Sequence, residues 1–444
     1  MDVVGRVRTT ALAAALGLVS AAALPAAALA APVPAAPVPQ PLQAYRPADD
    51  AKPVEGKPST ADAPQLQAGS TYADRIAPGD RVYRLVLEQD QSNVYVSAVV
   101  RPDAGAKVSY GDGIQVEIMT TAGRSCPDSS GRAGFGYDPV PISAVGVRWG
   151  AEDLDCAAGG VYYVKVTRTS AKGSDPREWP LELRVQREPG RAPGGPTAAP
   201  SAWPSGPAPL PGTEAVGRGG GTGFNDARAL GAGVWRDELR AGQTRWYRVP
   251  LDWGQQLGLG AELSAATMTK PSGSASGGLV VSLYSPFRGL VSEKDTSYDG
   301  KQAGVTLGKT PPVAYENRFS NDKDVEHASI AGWYYVAVTM GAKAAEFTAD
   351  GTTVPLTLRV DVAGTPGKAP AYKEEPAAGG FGVGASDREA AKAGLTAPEA
   401  AEAADNASVM RVVAGAGFGT GTVLLLVLGG WTLLGRRGRG TTSA

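Results

Sequence analysis

Histidine and cysteine are almost missing from this chain, which has one His and two Cys in 444 residues. With His327 as the single imidazole, there is little material for His-based catalysis or a His-ligated metal. Charge of one sign is lacking too. Lys and Arg number 43 against 44 Asp and Glu, so nothing marks a nucleic-acid or polyanion partner. What the chain has in quantity is Gly (59) and Pro (35), about a fifth of all residues, which demands long linkers. The length suffices for two or three domains.

The two ends read as targeting and anchoring segments. In residues 1–30, Arg6 and Arg8 precede an apolar run from Ala11 to Ala23 and a small-x-small site at Ala28-Leu29-Ala30, the pattern of a cleaved signal peptide. Residues 31–64 are rich in Pro and Ala without an apolar period and are expected to form a spacer. Near the other end, residues 412–435 carry no charge, and Arg436, Arg437 and Arg439 follow at once. A transmembrane helix over 410–435 is predicted, with a basic cytoplasmic tail at 436–444. Together these give a single-pass type I protein of the plasma membrane, with the bulk of the chain extracytoplasmic. A sorting motif of the Leu-Pro-x-Thr-Gly kind does not precede the helix. Gly415 and Gly419, and Gly417 and Gly421, are spaced four apart within it. Such spacing lets two helices approach closely and would permit a homodimer, although the glycine richness of the chain accounts for it equally well.

Between the ends the chain repeats itself. Gly160-Val-Tyr162-Tyr-Val164-Lys-Val166 returns as Gly332-Trp-Tyr334-Tyr-Val336-Ala-Val338. Each copy alternates as a half-buried strand does, with Tyr162, Val164 and Val166 facing one side and Tyr163, Lys165 and Thr167 the other. Each precedes a second alternating run, Trp179 to Val185 and Val354 to Val360. Upstream, Trp235, Leu239, Gly242 and Tyr247 restate Tyr72, Ile76, Gly79 and Tyr83. Short strands divided by Gly, Pro, Asp and Ser clusters predict an all-β protein: two tandem antiparallel β-sandwich domains of jelly-roll type, at 65–187 and 226–362. A Pro/Gly-rich linker at 188–225 separates them, and a stalk at 363–409 follows. Within the stalk, Ser386-Asp-Arg-Glu389 and Thr396-Ala-Pro-Glu399 fit the capping-box pattern of short helices.

On the turn glycine before a tyrosine strand (Gly79/Tyr83, Gly242/Tyr247), the Gly-x-Tyr-Tyr-Val strands, the closing Leu-x-Leu-x-Val strands and the Leu279-to-Pro286 run, the repeats resemble the bacterial pre-peptidase C-terminal domain. The resemblance implies small β-sandwiches that serve secreted peptidases as accessory modules. The chain departs from that arrangement in leaving no room for a peptidase beside the repeats. The first copy also differs in its middle, where Ile114-Gln-Val-Glu-Ile118 and a cysteine-bearing insertion stand.

Few residues offer chemistry. Cys126 and Cys156, in an exported domain, are expected to form a disulfide that closes a loop of about 30 residues and adds roughly 3–4 kcal/mol. Glu152, Asp153 and Asp155 lie before the first Tyr-Tyr strand, and Asp322, Asp324 and Glu326 before the second. Clustered oxygen ligands suit calcium, but the spacing matches no standard loop and Lys323 intrudes, so solvated loop charge is the expected reading. Of Trp149, Trp179, Trp235, Trp246, Trp253 and Trp333, most are expected in cores. An exposed row could stack on sugars, and Trp253 beside a turn is the best candidate for exposure. His327 near Asp324 suggests a triad with Ser282 or Ser285, but no Gly-x-Ser-x-Gly elbow exists, and an incidental surface histidine is expected. No catalytic residue and no cofactor other than the calcium alternative is assigned. The reading is a non-enzymatic envelope protein that displays two binding or scaffolding modules on flexible linkers, its partner an envelope protein or polysaccharide. The alternatives are an accessory pair for a separate secreted peptidase or hydrolase, and a carbohydrate-binding surface protein.

Overall fold

A computed structural model describes residues 44–407 apart from 89–90, 104, 128, 137, 151–155, 195, 207–213 and 271, together with 424–429 and 431. The protein is mostly β, with few helices, and its sheets pair into two sandwiches. In the first repeat one sheet runs β1 (Lys52–Pro53), β3 (Thr71–Ile76), β10 (Trp179–Glu188), β5 (Asn93–Val100), β8 (Ile142–Arg148). The other runs β2 (Gln65–Leu66), β4 (Gly79–Leu87), β9 (Gly160–Thr169), β6 (Gly113–Thr120), β7 (Gly131–Gly134). The second repeat restates this order strand for strand. Its sheets are β11 (Val216–Gly217), β13 (Gly233–Leu239), β20 (Val354–Ala363), β15 (Gln256–Leu263), β18 (Ala303–Leu307), and β12 (Arg228–Ala229), β14 (Thr244–Leu251), β19 (Gly332–Met340), β16 (Ala275–Tyr284), β17 (Leu290–Tyr298). Pairing is antiparallel except at the two-residue strands β1, β2, β11 and β12, which add in parallel to one edge of each sheet.

Register confirms the internal alignment. Tyr72 lies opposite Leu183 and Trp235 opposite Leu358; Tyr83 lies opposite Val164 and Tyr247 opposite Val336. Tyr162, Val164 and Val166 are buried among Tyr83, Leu85, Ile114, Val116, Leu181 and Leu183, and Tyr334, Val336 and Val338 occupy the matching core of the second repeat. Burying these alternating apolar faces is the main force closing each sandwich. A shared polar device secures one edge. Tyr83 Oη donates to Asp74 Oδ2 at 2.7 Å and Tyr247 Oη to Asp237 Oδ2 at 2.6 Å. The same carboxylates accept the backbone N–H of Gly56 at 2.8 Å and Gly220 at 2.7 Å. Both glycines are forced by close approach, since a Cβ would stand 2.6 Å from Tyr83 Cζ and 2.8 Å from Tyr247 Cζ.

Three segments expected to be loose belong instead to the packed body. In the spacer, Lys52–Pro53 pairs with β3, and Tyr45 reaches the side chains of the second repeat. In the linker, Gly221 bridges Trp246 and Phe224 is buried. In the stalk, Phe381 enters the larger core, Gln186 Nε2 donates to the Gly379 carbonyl at 3.1 Å and Arg388 pairs with Asp252 at 2.6 Å. Apolar periodicity alone does not register such segments. Main-chain hydrogen bonds to sheet edges and single aromatic anchors do the ordering here. The stalk is therefore a strap, with α2 (Ala385–Ala393) and a further helix over 397–407. The second expected capping box forms, with Thr396 N–H donating to Glu399 Oε2 at 2.8 Å. The first is displaced: Gly384 caps α2, and Asp387 accepts its N–H at 2.7 Å.

The repeats are not beads on a string. Outward residues of β5 and β8 meet the outer face of the β12-β14-β19-β16-β17 sheet. Tyr95 stacks on Phe287 at 4.4 Å, and Val99 packs among Phe224, Trp246, Tyr284 and Tyr335. Two buried ion pairs cross the same boundary, Arg288–Glu182 at 2.6 Å and Arg318–Glu188 at 2.8 Å. The expected independence of the two domains is corrected accordingly. Cys126 and Cys156 form the disulfide, with Cα atoms 5.8 Å apart. Residues 424–429 are helical and their side chains exposed. Among the described residues no helix is long and apolar enough to cross a membrane. The signal peptide, most of 410–435 and Gly415, Gly417, Gly419 and Gly421 lie outside the described residues.

Candidate functional site: the cleft between the repeats and the strap

The outer face of the second repeat is built by strand alternation. Because Tyr334, Val336 and Val338 point into the core, Trp333, Tyr335 and Ala337 must point out. Arg248 lies directly opposite Tyr335 in the β14–β19 ladder, and Tyr284 opposite Tyr335 in the β16–β19 ladder. Arg248, Tyr335 and Tyr284 therefore form a row across the sheet. The first repeat covers one end of this row and the strap crosses the other. A cavity of about 300 Å³ remains between them, lined by Arg184 of β10, by Arg248, Pro286, Trp333 and Tyr335, and by Ala377, Gly380, Phe381, Gly382, Asp387 and Ala397 of the strap.

Two guanidinium groups face this cavity. Arg248 is buried, stacked 4.0 Å above the Trp333 ring, and donates from Nη2 to the Leu395 carbonyl at 3.1 Å. Its Nε makes no hydrogen bond. Burial lowers its pKa, as it does for Arg184, where the Arg288 charge lowers it further. The strap passes over Arg184 at Gly380, whose φ is +79° and whose added Cβ would come within 3.0 Å of Arg184 Nη2. Asp387 on the rim is already engaged: its Oδ1 accepts from Trp333 Nε1 at 3.0 Å and its Oδ2 from Gly384 N–H. A low-dielectric site with guanidinium forks and apolar walls is suited to holding an anion with an apolar body.

Behind the cavity the charges are paired. Glu182 accepts from Arg288, from the Ala48 N–H at 2.9 Å and from Asn225 Nδ2 at 2.8 Å. Glu188 accepts from Arg318, Asn93 and Tyr95, and from Tyr372 of the strap at 2.7 Å. Burial alone would raise both carboxylates, but the facing arginines and these hydrogen bonds hold them below their ordinary value.

The residues singled out in the sequence lie elsewhere. Gly160, Tyr162, Val164, Gly332, Tyr334 and Val336 are core and strand positions. Asp322 caps α1 (Lys323–Glu326), accepting from Asp324 N–H at 3.0 Å, and Glu326 pairs with Lys323. Among the described residues no group of three or more His, Cys, Asp or Glu could hold a metal. Glu152, Asp153 and Asp155 lie outside the described residues. Trp246, Trp253 and Trp149 are 1%, 6% and 8% exposed, so the expected exposure of Trp253 is corrected and no row of open tryptophans stands ready for sugars. His327 is not an incidental surface residue. Its ring packs edge-on to Phe287 at 5.4 Å and its Nδ1 lies 2.6 Å from the Leu290 carbonyl, and burial pushes its pKa down to about 4. Ser282 donates to Glu293 and Ser285 accepts from Gly289 N–H, so neither hydroxyl is directed toward it.

Sequence reasoning missed Arg184, Arg248 and Tyr335. A signal for them existed. Where the first Tyr-Tyr strand has Val161, Tyr163 and Lys165 outward, the second has Trp333, Tyr335 and Ala337, which reads as a covered face rather than a solvated one.

No protein-family model matches the sequence, and no curated protein matches it. Solved structures with some likeness include the tandem CBM22-1-CBM22-2 domain of Paenibacillus barcinonensis Xyn10C, at 14% identity over 68% of this chain and 93% of that one, with a TM-score of 0.18. Tripeptidyl peptidase 2 shows 8% identity over 67% of this chain and 27% of its own, with a TM-score of 0.18. The isomalto-dextranase of Arthrobacter globiformis T6 complexed with panose shows 15% identity over 65% and 36%, with a TM-score of 0.16. At such TM-scores nothing of their binding or chemistry is carried over to this chain.

Proposed function

We propose that this chain is a non-enzymatic binding and scaffolding protein of the cell envelope. In this reading one C-terminal helix holds it in the plasma membrane, the bulk of the chain stands outside, and the two repeats act as a single binding body. We further read each repeat as kin to the pre-peptidase C-terminal domain, on the Gly-x-Tyr-Tyr-Val and Leu-x-Leu-x-Val strands. The observation that carries the proposal is the cavity formed jointly by β10 of the first repeat, β14 and β19 of the second, and the strap. A rigid cleft assembled from separate elements, with charged groups converging on it, is how binding sites are commonly built. The test is affinity capture with the folded extracytoplasmic portion, residues 31–409, from envelope extracts, followed by mass spectrometry and glycan analysis. A discrete envelope protein or polysaccharide retained by the native but not the heat-denatured portion is expected. Equal recovery by both overturns the proposal.

A further inference from the structure

Among the described residues Arg184 is a cation without an ion-pair partner, and the repeat explains why. It corresponds to Arg359 of the second repeat, since Leu181-Glu-Leu-Arg-Val aligns with Leu356-Thr-Leu-Arg-Val. Arg359 pairs with Glu262 at 3.1 Å. Glu262 stands opposite Thr357 on β20, and the position opposite Glu182 on β10 is Val99. The first repeat has thus kept the arginine and put a valine where its carboxylate would be. The nearest acid along the strand, Glu182, is committed to Arg288. Among the described residues the Arg184 guanidinium makes no ion pair or hydrogen bond. Across the cavity, Arg248 is buried with its Nε unsatisfied. Tyr335, on the same wall, makes no side-chain hydrogen bond among the described residues. Arg184 is half-buried, whereas the buried Arg248 Nε is a donor left without an acceptor, which is costly. The rest of the lining that matters, Trp333, Phe381 and Pro286, is apolar.

We propose that this cavity binds a compact monoanionic carboxylic acid with an apolar body, its carboxylate held between Arg184 and Arg248 and its body against Trp333 and Phe381. The charge count favours a monoanion, because Asp387 on the rim offsets one of the two facing cations. The planar forks of the two guanidiniums match a carboxylate in shape. The inference rests on the binding reading above and names the ligand class of that cleft. The acid is either free or the terminus of a larger envelope molecule, and the recognised chemistry is the same.

Calorimetric titration of the full chain in detergent with benzoate tests it, with benzamide and inorganic phosphate as controls. One benzoate per chain is expected, with benzamide bound at least tenfold more weakly and phosphate weaker than benzoate. Arg184→Gln is expected to cut benzoate affinity tenfold or more without lowering the melting temperature, because among the described residues the guanidinium has no hydrogen-bond or ion-pair partner to lose. A merely structural arginine would instead lower the melting temperature. Arg184→Lys, which keeps charge but not the fork, is expected to recover part of the affinity. Competition of benzoate against the captured envelope component would place a tethered acid in the cavity, and its absence with benzoate still bound would point to a free acid. Absence of benzoate binding, equal binding of benzamide or phosphate, or unchanged affinity in Arg184→Gln overturns the proposal. Capture of an envelope component that persists after benzoate binding has failed leaves the scaffold reading standing. Benzoate binding without any capture leaves only the pocket.

Discussion

Arg288 of the second repeat places its Nη1 2.6 Å from Glu182 Oε1 of the first, with both side chains almost fully buried. The pair lies in the boundary between two sandwiches that the sequence presents as separate modules, and it has company. Tyr45 and Ala48 of the segment before the first repeat, and Asn225 of the linker, all bond to the same glutamate. A buried pair of this kind contributes little over well-packed apolar residues, but removing one partner strands the other. Here it ties β10 of the first repeat to the segment that follows β16 in the second.

Glu182→Ala is therefore expected to cost about 3–5 kcal/mol, because it leaves the Arg288 charge buried and unpaired. The double variant Glu182→Leu/Arg288→Met should cost much less. Chemical denaturation of the wild type, Glu182→Ala and the double variant checks it; equal costs for the single and double variants would refute it.

Tyr334 is wholly buried and donates from Oη to the Ile330 carbonyl at 3.0 Å, as Tyr162 does to the Ala158 carbonyl at 2.7 Å. Tyr334→Ala should cost about 3–5 kcal/mol through lost transfer energy and the cavity left behind. Since the repeats share the Arg288–Glu182 and Arg318–Glu188 pairs and the Tyr95–Phe287 stack, the loss should reach both. Scanning calorimetry of residues 31–409 is expected to show one cooperative transition, shifted as a whole in the variant. Two transitions of which the variant loses one would mean autonomous modules.

Gly56 and Gly220 hold matching places against Tyr83 and Tyr247. Alanine at either should cost about 1–3 kcal/mol, because the backbone segment must lift away from the ring and from the Asp74 or Asp237 carboxylate. Gly206, with no atom of the described residues other than its chain neighbours within 4 Å of the Cβ position, is the control and should change stability by less than about 0.5 kcal/mol. Thermal melts of the three variants decide.

His327 has a folded pKa lowered to about 4, first by burial and then by the Lys323 charge, against an ordinary value of 6.5. The unfolded chain thus binds more protons between these values, and stability falls as pH drops from about 6.5 toward 4. The carboxylates Glu182 and Glu188, whose folded pKa values are depressed, add their loss only below about 4.5. His327→Gln should flatten the slope between pH 6.5 and 5 and leave the acid limb intact. Denaturation midpoints measured across pH 4–7 test this, and an unchanged slope in the variant would refute it.

Much of the fold is legible in the sequence. Period-two alternation in the Tyr-Tyr strands sorts core from outer face, and the two copies align at Tyr72/Trp235 and Tyr83/Tyr247 as the ladders later show. The pairing of Cys126 with Cys156 followed from there being no other cysteine. These are local or arithmetical facts, carried by side-chain period and composition.

The candidate site was not legible, and the reason is physical. Alternation says that Tyr335 and Arg248 point away from their own core, but not whether water or another surface meets them. That depended on Val99 and Tyr95, more than 100 residues earlier in the chain, and on a strap read as a loose stalk. Glu182 and Arg288 look like ordinary surface charges until docking buries them together. The sequence by itself determined two copies of one sandwich, their faces and their bond. Only the tertiary structure decided that the copies share a buried boundary and that two arginines line one cavity there. Burial of an outer face is a property of two surfaces far apart in sequence, and no single strand carries it.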